Sequence, residues 1–221
     1  MAFDSARITQ AGGCWGTIAA LTDADGSATH KALQKLSNVR TPARDIADAV
    51  HLIGMLHGRQ PGIIDLALKC GAQPAAASWL EVAGEAFGIE RGYVTRLASA
   101  AGPLPSTPGQ AESEAAVAAQ CHALDMLAQS DRAGSATGGA VALVLDWMAI
   151  RRVLDIAAER FGVPIPQLRL PDLQETAITV AALAENPGIE RAMAFGVQQV
   201  LAQHRGLWDL IEARAGARGT A

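Results

Sequence analysis

The chain has 221 residues, half of them apolar, 4% aromatic and 18% charged, with a net charge of -4. That is enough apolar chain to bury a sizeable core; Lys and Arg are scattered with no basic block, which excludes a broad phosphate-tracking surface, so nucleic acid is not an expected partner. Cys14, Cys70 and Cys121 are odd in number and lack CxxC spacing, which excludes a disulfide framework or zinc ribbon and fits a reducing, cytoplasmic compartment.

Residues 1–27 mix Gly, Asp and Thr around CWGTIAAL without a continuous apolar signal region, and predict an irregular N-terminal arm. A short helix through HKALQKL follows, capped by Ser27 or Thr29. Thr41 and Pro42 open the next, which runs to His57 and stops at Gly58. Pro61 starts PGIIDLALKC, and the stretch beyond Pro74 reads as helix with a break at Gly88. Residues 102–110, GPLPSTPGQ, form an internal Pro/Gly linker. Two long helices, 111–132 and 140–161, are joined by AGSATGG into an antiparallel hairpin. Ser135, Thr137 and Gly138 in that loop precede a helix N-terminus that could face an anion, but the Walker lysine is missing and a plain turn is the expected role. GVPIPQLRLP separates the hairpin from helices at about 172–185 and 188–215. The sum is an all-α bundle of seven or eight helices, one domain over 1–221, with the hairpin at its centre. The longest apolar run, AVALVLDWMAI, is too short to span a bilayer and carries Asp146, so no membrane association is expected.

EAFGIER at 85–91 and ENPGIER at 185–191 share a pattern, but the apolar rhythm around them does not superpose, so they read as similar helix punctuation and not as a duplicated module. The first copy, WLEVAGEAFGIERGYVTRLAS, resembles a helix-turn-helix DNA-binding unit. Phe87, Gly88, Ile89, Val94 and Leu97 would supply core and turn, and Glu90, Arg91, Tyr93, Thr95 and Arg96 the recognition helix. It departs from that pattern at Gly84, where Ala is usual, and an ordinary αα-corner demands the same apolar spacing.

Polar residues inside apolar runs point to chemistry. Asp146 interrupts the second hairpin helix, and a lone buried carboxylate needs a partner. On the first hairpin helix His122, Asp125 and Arg132 form one polar stripe. Counting about seven residues back from each side of the loop brings Asp125 and Asp146 to the same depth, roughly 10 Å from the tip, where they are expected to face each other. His51 and His57, on the helix ending at Gly58, with Arg59 just beyond, supply further imidazoles and an anion anchor. The expected ligand-binding set is therefore His51, His57, Arg59, His122, Asp125, Arg132 and Asp146. The bland alternative pairs Asp146 with Arg132, Arg151 or Arg152 as a structural ion pair. No catalytic or dinucleotide motif is present and no cofactor is expected; if a metal binds, His122, Asp125 and Asp146 are its ligands, in the manner of ferritin-like bundles. That alternative lacks any Glu-x-x-His pair.

At LHGRQPGIIDLAL, GPLPSTPGQAESEAA and HALDMLAQSDRAG the chain resembles a family of uncharacterised all-helical proteins of alphaproteobacteria of the sphingomonad type, over residues of about 50–160. The resemblance implies a bacterial helical protein and supplies no catalytic residues. The reading that emerges is a binder of a small molecule or a protein partner, with a homodimer as one form of the latter. A metal-dependent enzyme and a DNA-binding regulator are the alternatives.

Overall fold

Glycine and proline divide the chain, and the segments between them are helices. The computed structural model describes residues 12–38, 40–70 and 73–219. Within them run α1 (Cys14–Asp25), a 3-10 turn (Ser27–Thr29), α2 (Lys31–Leu36), α3 (Ala43–His57), α4 (Ile63–Lys69), α5 (Pro74–Ala101), α6 (Gln110–Ala128), α7 (Ser135–Phe161), α8 (Leu173–Leu183) and α9 (Pro187–Gly219). No strand occurs among the described residues, so the all-α class holds with nine α-helices. None of these helices is long and apolar enough to cross a membrane.

Helix α7 is the axis of the molecule. Every residue from 137 to 147 is buried, so this segment is enclosed around its whole circumference, as its nearly all-apolar composition requires. It packs most extensively on α9, and also on α3, α4, α5 and α6. The approach to α9 is backbone to backbone. A Cβ on Gly196 would lie 2.1 Å from the Ser135 carbonyl oxygen, and one on Gly138 would lie 2.2 Å from that of Met193. The order of contacts, Gly138 with Met193 and Asp146 with His204, makes α7 and α9 run side by side in the same direction.

Several expectations are corrected. The second half of the supposed irregular arm is helix α1, whose Cys14, Trp15, Ile18 and Ala19 are buried; residues 1–11 of that arm lie outside the described set. Helix α7 begins at Ser135, not at Ala140, because the small residues of AGSATGG are what α9 packs against, and burial there outweighs glycine's poor helix propensity. The turn that remains is closed by Gly134 at φ 95°. Helix α5 passes unbroken through Gly88, and Glu90, Arg91 and Tyr93 are buried against other helices. This removes the helix-turn-helix reading, since there is no turn and three of the five expected recognition residues are buried. The residues 102–109 are non-helical and are fastened to the bundle by the His51 and Arg214 side chains, which bond the Gly102 and Pro105 carbonyls.

Two glycines separate packing from propensity. Gly196→Ala forces α7 and α9 apart and is expected to cost at least about 2 kcal/mol in urea unfolding. Gly88→Ala, exposed on α5 with nothing within 4 Å of its would-be Cβ, is expected to stabilise by about 0.5–1 kcal/mol in the same measurement.

Candidate functional site

Two buried polar groups on neighbouring helices must answer each other, because neither can reach water. Asp146, on the enclosed part of α7, is 2% exposed and His204, on α9, is 0% exposed. His204 Nδ1 lies 2.6 Å from Asp146 Oδ2. The backbone N–H of Ser27 donates to Oδ1 at 2.7 Å, and the Ser27 hydroxyl donates to Oδ2. Trp208 Nε1, one turn beyond His204 on α9, donates in turn to the Ser27 hydroxyl at 2.7 Å. The buried carboxyl group thus accepts from three donors.

The line continues. His204 Nε2 meets His57 Nε2 at 2.9 Å, and the two rings stand edge to face. With Asp146 ionised, His204 donates from Nδ1; in the neutral pair its Nε2 accepts, so His57 Nε2 donates and His57 Nδ1 carries the free lone pair. Nδ1 makes no hydrogen bond to any described residue. Phe87 and Trp147 pack edge-on against the His57 ring and hold its orientation. Burial, the neighbouring His204 and the Arg91 guanidinium, in that order, hold its pKa well below the ordinary histidine range, so His57 is neutral near pH 7.

His57 is the last residue of α3, and it lines a narrow niche together with Arg59 and Gly62 of the turn, Phe87 and Arg91 of α5, and Asp125 of α6. Arg91 is 7% exposed. One of its nitrogens is tied to Asp65 on α4, and its guanidinium stacks 5.0 Å over Phe87, but Nε and Nη1 are buried without a hydrogen-bond partner among the described residues. Arg59 and Asp125 form a two-pronged ion pair at 2.7 and 2.9 Å, with the Arg59 side chain 54% exposed. The same pair lines a second, roomier groove between α3 and α6, whose other walls are Gly54, Met55, Val117, Ala118, Cys121 and His122. A charged pair therefore stands between an outer, mostly apolar groove and an inner polar niche.

The residues singled out from the sequence divide accordingly. His57 and Asp146 are brought into one line, though through His204, and Arg59, Asp125 and His122 gather at the groove. Asp146 does not face Asp125: the acid's partners come from α9 and the 3-10 turn, because α7 turns this face to α9 and not to its hairpin neighbour α6. Asp146 therefore does not join His122 and Asp125 as a metal set, and no group of three His, Cys, Asp or Glu side chains suited to a metal ion occurs among the described residues. Nor does Asp146 pair with an arginine among the described residues; Arg151 serves Glu90 and Asp155 instead. His51 bonds the Gly102 carbonyl and Arg132 stacks over Phe195, both away from the niche. His204, Ser27 and Arg91 complete the centre. His204 had a signal in the sequence, since it falls in the apolar stripe Val197, Val200, Leu201, Leu207, Trp208, Ile211 of α9. Ser27, reaching across 119 positions, had none.

Comparison with curated proteins and with solved structures returns no match. Residues 22–219, which contain every member of the polar line and the niche, match DUF6975, a family of unknown function, and with that coverage the protein belongs to this family.

Proposed function

We propose that the protein binds a small organic carboxylate, with the acid head in the niche between Arg91 and His57 and the apolar body in the groove between α3 and α6. The observation that carries this reading is Arg91. A buried guanidinium with two nitrogens left without acceptors costs free energy, about 1–3 kcal/mol per unmade bond, which an anionic ligand recovers. Phe87 at its face and Asp65 at one end hold the guanidinium in place, so little is lost in ordering it.

The Arg59–Asp125 pair supplies the entrance. The niche as it stands has room for about one water molecule, so a ligand carboxylate enters by taking the place of the Asp125 carboxylate beside Arg59. An ion pair this exposed contributes only about 0.2–1 kcal/mol, so its opening is a small cost. The groove beyond it is walled by Met55, Val117 and Ala118, which suits an aliphatic chain and not a second charge.

Titration calorimetry with hexanoate and with the uncharged hexanol tests the reading. Hexanoate is expected to bind and hexanol not to, and Arg91→Met is expected to weaken hexanoate about ten- to hundredfold, the worth of charge-assisted hydrogen bonds. Equal binding of the alcohol, or an unaffected folded Arg91→Met protein, overturns the proposal. Asp125→Asn, which removes the internal competitor, is expected to tighten hexanoate by up to about fivefold in the same assay.

A further inference from the structure

Resting on that carboxylate site, we infer that the Asp146–His204–His57 line is a proton-transfer device serving the niche: the ligand is bound as its anion together with one proton, which the two histidines take up. The juxtaposition behind this is one continuous line, from a triply bonded carboxylate through both nitrogens of His204 to a histidine that itself lines the ligand niche.

Before binding, Asp146 is an anion, His204 carries its proton on Nδ1, and His57 carries its proton on Nε2. The incoming proton bonds to His57 Nδ1 as the Nε2–H bond of His57 breaks, and that second proton bonds to His204 Nε2. The product is a neutral His57 donating from Nδ1 towards the bound carboxylate, and a His204 imidazolium against the Asp146 carboxylate. No electron pair leaves the site and no further reactant is needed.

The charges around the pair favour one proton and refuse two. Across from His57 stand Arg91 on α5, itself neutralised by Asp65 on α4, and Arg59 in the turn, neutralised by Asp125 on α6; Asp146 on α7 acts through His204 on α9. The Cys121 thiol of α6, which faces the groove, is pushed up by burial and stays protonated. Without a ligand these pairs are balanced, and burial, the neighbouring His204 and Arg91 keep His57 neutral. A carboxylate in the niche adds one negative charge to a site sheltered from water, and the histidine pair is the group in reach that can add one positive charge. A second proton would set two imidazolium rings edge to face at van der Waals distance.

Calorimetry of hexanoate binding at about pH 7.5, in buffers of different ionisation enthalpy, measures the proton uptake directly. Hexanoate is fully ionised there, so any proton comes to the protein. The wild type is expected to take up about one proton per hexanoate, and Asp146→Asn and His204→Gln are expected to bind it with less than about one fifth of that uptake. Binding with no proton uptake, or uptake unchanged in a folded Asp146→Asn or His204→Gln protein, overturns the inference and leaves the carboxylate reading standing. Loss of uptake in His122→Gln alone assigns the proton to the groove surface and overturns it equally. Absence of any hexanoate binding sinks both.

Discussion

A carboxylate enclosed in the middle of a helical bundle has to be answered by donors, and this requirement organises much of the molecule. Asp146 draws Ser27 from the beginning of the described chain and His204 from near its end onto the central helix. Trp208 then secures Ser27 from the opposite side. Four segments that are remote in sequence, the 3-10 turn, α3, α7 and α9, meet in a single line of hydrogen bonds. Such a network is stable only when complete, since a buried charge left alone costs several kcal/mol. It rewards one specific arrangement of helices over others that would bury the same apolar area.

Two other buried polar groups do a simpler job, and the contrast helps to define the site. Glu90 accepts from Trp147 and Arg151, while Arg151 also holds the Pro166 carbonyl, so this cluster fastens the segment between α7 and α8. Asp48 pairs with Arg214 and Arg218, which bond Thr107, fastening the linker between α5 and α6. Each cluster places one arginine hydrogen bond on irregular backbone, at the Pro166 and Pro105 carbonyls. The histidine line differs because it ends at a recess, beside Arg91.

The helical class and most helix ends were legible in the sequence because each depends on local chemistry. Pro74, Pro187, the Asp172 and Glu175 capping box, and Gly162 in the left-handed conformation all act within a few residues of themselves. What was misread depended on partners. The AGSATGG segment reads as a turn alone and is helix only because α9 lies against its glycines. Gly88 reads as a break and is none, because Phe87, Tyr93, Val94 and Leu97 are buried along one unbroken helix. The buried Asp146 could be anticipated from its apolar neighbours, but the identity of its partner could not. Depth along a hairpin fixes level and not azimuth, and α7 presents this acid to a helix that begins 41 positions later.

The glycine contact between α7 and α9 bears on that azimuth. Two helices that touch through their main chains have no compliant side-chain layer to absorb small rotations or slippage. About two to three turns further along, the imidazole and the carboxylate inherit their separation from this rigid pivot and not from the flexibility of their own torsions. A proton bridge of 2.6 Å is thereby built into the skeleton of the bundle, and its length is set by residues that carry no chemistry of their own.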